Sequence, residues 1–269
     1  MAVILEGGCR VSEMRESEPL IEGPLRIWNQ IGRATGAQAI SLRIMEFAPG
    51  LSPGIRNDDC DELLYVINSS SGADTNEVST ARVSGWINLL IDGRTYRLRP
   101  DTGFYIRPGE TFAVDNPGPN SIIIVSAQCP DPECSTQFVT PLTSVPLDSE
   151  PASPLPLVNL VDRPAHPTAD RWYRVLVDNE VGSTQVTQFV GAIPPGRAPD
   201  HFHNYEEVLF VLKGEGRMWA GETNTPVAPG FCIYLPKGQV HCVENTGRDE
   251  LRLLGVFYPA GSPSVRYDA

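Results

Sequence analysis

The stretch Gly196–Gly214 reads GRAPDHFHNYEEVLFVLKG and holds two of the chain's four histidines, followed by an acid. His201, His203 and Glu207 share odd parity, and side chains two residues apart on an extended strand point to one face. Two imidazoles and a carboxylate aimed into one space are a metal-ligating pattern. On a wet surface the same residues would carry no such chemistry, so a further ligand decides the matter. Gly230–Asn245 reads GFCIYLPKGQVHCVEN. This predicts a strand, a turn at Pro236–Gly238 and a second strand opening at His241. If residues 241, 243 and 245 face the inner wall, His241 meets the other three groups. Neutral imidazole and carboxylate suit Fe(II), Mn, Ni, Cu or Zn. Four protein ligands on an octahedral ion leave two positions for water, dioxygen or a bidentate substrate. The fourth histidine, His166, lies in RPAHPTAD and reads as an exposed residue of a proline-rich loop.

Short strands must position these residues. Glycine and proline are both plentiful, at 24 and 25 of 269 residues, which favours tight turns over long helices. Strands are predicted at 39–47, 62–67, 104–118 and 121–127, with a hairpin over 86–98 turning at Asp92-Gly93. They resume at 171–177, 184–192, 207–212, 215–222, 231–236, 241–245 and 251–258. No long amphipathic helix is evident. Short strands at regular spacing imply an all-β barrel or sandwich.

The two halves repeat. Phe47–Gly50 matches Ile193–Gly196, Glu62–Ile67 matches Glu207–Leu212, and Asn116–Gly118 matches Asn245–Gly247. The first half carries an insertion, in the Ser/Asp/Thr-rich loop at 69–80. A repeat of this length is a duplicated domain. The division expected is an arm at 1–24, a barrel at 25–130, a Pro/Ser-rich linker at 131–156 and the histidine-bearing barrel at 157–269. Aligning Glu62 on Glu207 puts Arg56 and Asp58 at the two histidine positions, and aligning Gly109 on Gly238 puts Phe112 at that of His241. The first barrel is therefore expected to hold no metal. Arg56 is expected to neutralise neighbouring acids rather than to bind a small molecule.

The formal charge of −12 argues against a nucleic-acid partner and against an anionic membrane surface. No apolar run reaches the length of a membrane span. The opening MAVILEGGCR lacks a basic lead-in and a cleavage-like tail, so a cytoplasmic location is expected. In that compartment the six cysteines are expected to be free thiols.

Gly196…His201-Phe-His203…Glu207…Gly214 resembles the first motif of the cupin superfamily, with one residue fewer than usual between Gly196 and His201. Gly230…Pro236-Lys-Gly238…His241…Asn245 resembles the second motif at every signature position. The resemblance is close over the second half and holds in outline over the first. It implies two double-stranded β-helix (jelly-roll) barrels in tandem, a bicupin whose first half is degenerate. It also implies a 3-His, 1-Glu metal site at His201, His203, Glu207 and His241, with Fe(II) favoured. Cupins with that set are often dioxygenases, so a metal-dependent oxidoreductase acting on a small organic molecule is expected. A non-redox isomerase, decarboxylase or hydrolase, or a non-catalytic binding protein, is the alternative on the same ligands. Tyr205 and Arg217 are the candidates for a catalytic or substrate-contacting role. On strand 215–222 either Arg217 and Trp219 or Met218 and Ala220 point inward. The oligomeric state expected is a monomer with an internal pseudo-dimer or a homodimer.

Overall fold

The computed structural model describes residues 1–67, 87–141, 154–168 and 171–264, together with the backbone of 267–268. The insertion at 69–80 and part of the linker lie outside the described residues. Four antiparallel sheets make up the structure, of eight, seven, six and six strands, and the described residues contain no α-helix. Each half pairs one large sheet with one small sheet. The interiors are apolar: Met45, Phe47, Leu64 and Phe104 fill the first barrel, and Leu209, Val211, Ile233 and Leu253 the second. This is the tandem jelly-roll arrangement.

The two large sheets pack back to back through a third core, which includes Ile44, Tyr65, Val125, Val208, Phe210, Tyr234 and Val256. Strand alternation explains how one chain serves both cores. Along Glu206–Lys213, Leu209 and Val211 point into the second barrel, whereas Val208 and Phe210 point to the other half. A strand buried on both faces reads as an unbroken apolar run, as EEVLFVL does. Phe210 and Tyr234 both belong to this shared core. Glu206 points the same way. Its carboxylate accepts from the backbone N–H of Gln38 at 2.9 Å and of Ala39 at 2.7 Å, and from the Tyr234 hydroxyl at 2.5 Å. Parity turns it away from the histidines, but it is buried against the first half rather than solvated.

Edge strands are exchanged between the halves. Arg10–Glu13, which precedes the first barrel, pairs with Phe231–Leu235 of the second. Leu157–Asn159, at the start of the second half, pairs with Thr102–Ile106 of the first barrel. Each exchange covers the equivalent edge, which would otherwise present unpaired backbone groups. Within the expected linker, Gln137–Val139 pairs with Gly54–Arg56. His166 is exposed as expected, but it opens a short strand, His166–Thr168, and stacks on Tyr173. The expectation of six free thiols is corrected: Cys60 and Cys134 form a disulfide, and Cys9, Cys129, Cys232 and Cys242 are free and buried. Spacing could not reveal a bond between residues 74 apart.

Glu206 thus ties the second barrel to backbone of the first. Glu206→Ala is expected to lower unfolding stability by about 2–4 kcal/mol, since it strands buried donors, and Glu206→Gln by less. Chemical denaturation checks this; equal stability of all three proteins would contradict it.

Candidate metal centre

Two sheets supply the site. His201 lies on the short strand His201–Phe202 of the small sheet, directly across from His241, the first residue of His241–Asn245. The chain then leaves that sheet at Asn204–Tyr205 and enters the large sheet at Glu206. Glu207 therefore faces the histidines from the opposite wall. The four residues do converge, but from three strands of two sheets and, for His203, the connection between them, rather than along one strand face. The Pro236–Gly238 turn is fastened to this crossing, because the Gly238 N–H donates to the His203 carbonyl at 2.8 Å. Gly238 has φ of 79°, a conformation that glycine adopts freely.

Ring nitrogens of His201, His203 and His241 all lie within 4.8 Å of one another. His203 Nε2 is 3.8 Å from a Glu207 carboxyl oxygen. The Nδ1 of His201 meets the Pro199 carbonyl at 3.0 Å, and that of His241 meets the Gln239 carbonyl at 2.8 Å. Nδ1–H donating to a carbonyl fixes ring orientation and leaves Nε2 as a lone-pair donor. Burial, reinforced by the neighbouring His201 and His203, pushes the His241 pKa down to about 3 and keeps it neutral. Burial pushes the Glu207 carboxyl up to about 8. The cluster thus sets three imidazoles, one of them held neutral, beside one buried carboxyl. Ligand bonds of about 2.1 Å place opposite ligand atoms about 4.2 Å apart, so a slight contraction of this cluster would enclose one ion. The donor set and its spacing fit a divalent transition metal.

A cavity of about 120 Å³ adjoins the cluster. Phe189, Leu209, Val243 and Leu253 form apolar walls, and Arg171 and Tyr173 stand among its other lining residues. Neither of the last two was singled out in the sequence, although RWYRVLV offered a cation and aromatics at a strand start. Tyr205 is not in the cavity wall. It lies between His203 and Phe257, with ring centroids at 4.6 and 4.4 Å, and buttresses the imidazole. Arg217 takes the outward of its two alternatives: it is exposed and donates to Asn224 at 2.5 Å, while Met218 and Ala220 point inward. It therefore contributes nothing to this cavity.

The first barrel shows what replaces the site. Phe112 pairs with Ile55 as His241 pairs with His201. The strand register thus puts Ile55 and Asn57, rather than Arg56 and Asp58, at the histidine positions. One extra residue between Asn57 and Glu62 hides this from a gapless alignment. Arg56 and Asp58 form a surface ion pair at 2.6 Å. Glu62 keeps its place, and its carboxylate accepts from Arg43 Nη2 at 2.5 Å, from Ser126 Oγ at 2.6 Å and from Asn57 Nδ2. Arg43 pairs with Ser126 as Phe189 pairs with Gly255. In the second barrel the Phe189 ring lies over Gly255, where a Cβ would come within 2.3 Å of it. In the first, that position carries the guanidinium that meets the glutamate.

Comparison with known proteins agrees with this geometry. The family model described as Cupin domain matches residues 189–257, which include all four candidate ligands. Auxin-binding protein 1 of Arabidopsis thaliana is 32% identical over 86 residues, 28% of this chain and 43% of that protein. An oxalate-binding protein of Thermotoga maritima is 33% identical over 67 residues, 24% of this chain and 55% of that protein. The aligned part spans about half the length of these relatives. Among solved structures, a putative glyoxylate-induced protein from Pseudomonas aeruginosa superimposes with a TM-score of 0.69 at 18% identity, covering 95% of this chain and 90% of that one. Oxalate decarboxylase from Bacillus subtilis gives 0.69 at 14% identity, covering 93% and 76%. These likenesses establish the fold over nearly the whole chain. Residues 189–257 of the second barrel thus match the cupin domain, the chain as a whole shares the fold of these structures, and the second barrel carries a histidine group able to bind metal.

Proposed function

We propose that the second barrel is a metal-dependent catalytic centre that cleaves a carbon–carbon bond of a small organic acid. The observation that carries this reading is the convergence of His201, His203, His241 and Glu207 beside a cavity of only about 120 Å³. That is well below the roughly 300–1,000 Å³ of pockets for drug-sized ligands. A divalent ion bound there would supply Lewis acidity, open positions for a carboxylate and, if redox-active, the capacity to engage dioxygen. Iron and manganese both fit the donor set. The neighbouring oxalate decarboxylase of B. subtilis, with a TM-score of 0.71 at 15% identity in one structure, is described as having Mn(II) centres.

The chain's own residues bind, orient and exclude water. The Pro199 and Gln239 carbonyls hold the His201 and His241 rings, and Tyr205 braces His203. The apolar walls exclude water and strengthen electrostatic interactions inside. Arg171 brings positive charge to the cavity lining, suited to an anionic substrate. The dioxygenase chemistry expected from the ligand set is the oxidative form of this cleavage, and decarboxylation is the form favoured by the structural neighbours. A non-catalytic binding protein is the second reading. It is supported by the apolar character of the walls and by the oxalate-binding relative of T. maritima.

Protein loaded with iron or manganese and supplied with oxalate or glyoxylate is expected to release carbon dioxide, with or without oxygen uptake. His241→Ala should reduce turnover by more than the roughly 10–100-fold typical of losing an outer partner of a metal ligand. Saturable binding of both acids without turnover would favour the binding protein.

Metal uptake should also depend on pH. Below about pH 8 the metal-free Glu207 carboxyl holds a proton that the ion must displace. Affinity should therefore rise with pH up to about 8, with release of one proton, and flatten above it. His241, neutral above about pH 3, adds no slope in that range. Calorimetry in buffers of different ionisation enthalpy measures the proton count, and Glu207→Gln should abolish it. An unchanged count in that variant would contradict the assignment of Glu207.

A further inference from the structure

The cavity beside the histidines changes character along its depth. Leu209, Val243 and Leu253 line it and are each only 5% exposed. All three belong to the apolar interior of the second barrel. Apart from the candidate ligands and Trp172, the polar side chains of the lining among the described residues are Thr168, Arg171 and Tyr173, and each is only half-buried. They come from His166–Thr168 and Arg171–Val177, the two strands at the edge of the large sheet, and mark the open end. The Trp172 indole N–H donates to Glu250 at 3.0 Å, and the Tyr173 hydroxyl meets Ser262 Oγ at 3.4 Å. Phe189 bounds the space from the side. Its ring is seated on Gly255, where any Cβ would come within 2.3 Å of it, and lies 5.9 Å from the Phe257 ring. That seat fixes how much room remains.

We propose that the molecule this centre takes is a monocarboxylate carrying a short hydrocarbon group, with the carboxylate at the histidine cluster, the hydrocarbon against Leu209, Val243 and Leu253, and Phe189 setting its length. The inference rests on the reading of the cluster as a metal centre for a small organic acid. The cluster takes the charged end, and Arg171 at the open end favours entry of an anion. Between the two, the wall offers hydrocarbon. A second carboxylate placed there would leave water with no side-chain donor among Leu209, Val243 and Leu253 to receive it. A two-carbon acid would fit but leave these walls uncovered. About 120 Å³ of space, at roughly 30 Å³ for each water-sized group, holds about four such groups. A chain of three or four carbons therefore fills the cavity, and a longer one must pass Phe189 or project into solvent.

The test titrates the full chain, loaded with zinc because that ion has no redox chemistry, with acetate, butyrate, hexanoate, 3-hydroxypropionate and succinate, and follows binding by calorimetry. Butyrate is expected to bind roughly 15-fold more tightly than acetate, at about fourfold for each buried methylene. Succinate sets a second carboxylate, and 3-hydroxypropionate a hydroxyl, where butyrate has its terminal methyl. Both should bind roughly tenfold or more weakly than butyrate. Hexanoate should gain nothing over butyrate in the wild type, and Phe189→Ala should raise the ratio of hexanoate to butyrate affinity. The proposal is overturned if affinity does not rise from acetate to butyrate, or if succinate or 3-hydroxypropionate binds as tightly as butyrate. Either result leaves the metal centre standing, whereas failure of every acid to bind the zinc-loaded protein overturns both readings. An unchanged ratio in folded Phe189→Ala overturns the role of Phe189. The wild-type series decides the chemical class even if that variant fails to fold.

Discussion

A carboxylate taken out of water must be matched by positive charge or hold a proton. Both barrels bury one at the equivalent point of their large sheet, Glu62 in the first and Glu207 in the second. The first barrel matches it internally, with the Arg43 guanidinium, Ser126 and Asn57 in direct contact. The second has Phe189 and Gly255 where Arg43 and Ser126 stand, and so has no arginine at that position. It offers three imidazoles instead, and burial together with its two neighbours disfavours the charged form of His241. In the proposed function a metal ion completes a glutamate so placed. The two barrels are in this sense alternative solutions to one electrostatic constraint.

The remaining architecture holds that constraint in place. The large sheets are buried on both faces, by the barrel interiors and by the core between them. The strand carrying Glu207 therefore cannot shift register without moving an apolar face into the wrong core. Its neighbour Glu206 anchors the same strand to Gln38 and Ala39 of the other half. The exchanged edge strands, Arg10–Glu13 and Leu157–Asn159, bind each barrel to the leading segment of the other half. Positioning of the histidine cluster is thus a property of the two-barrel unit.

Much of this was legible in the sequence, and the reasons are local. EEVLFVL and ELLYVI declare buried strands by composition, and Asp92-Gly93 declares its hairpin, with positive φ at both residues. The histidine spacing announced a shared site, although its division between two sheets did not follow from parity alone. What stayed hidden depends on distant partners. Arg43 looks like any strand arginine until the fold brings it to Glu62, 19 residues on. Asn57 was masked by one extra residue, which shifted Arg56 and Asp58 into the histidine columns. The inward side of strand Gly216–Ala220 was undecided, because Met218 and Arg217 both suit some barrel interior. The arm strands and the Cys60–Cys134 bond join segments whose register no local pattern encodes.

The central claim is that one glutamate is completed by a metal and its counterpart by an arginine. Anomalous scattering from crystals of the metal-loaded protein tests this directly. The account predicts a single peak in the second barrel, about 2.1 Å from the three histidine nitrogens, in contact with Glu207, and no peak near Arg43 and Glu62. A peak in the first barrel, or none among the histidines at full loading, would contradict it.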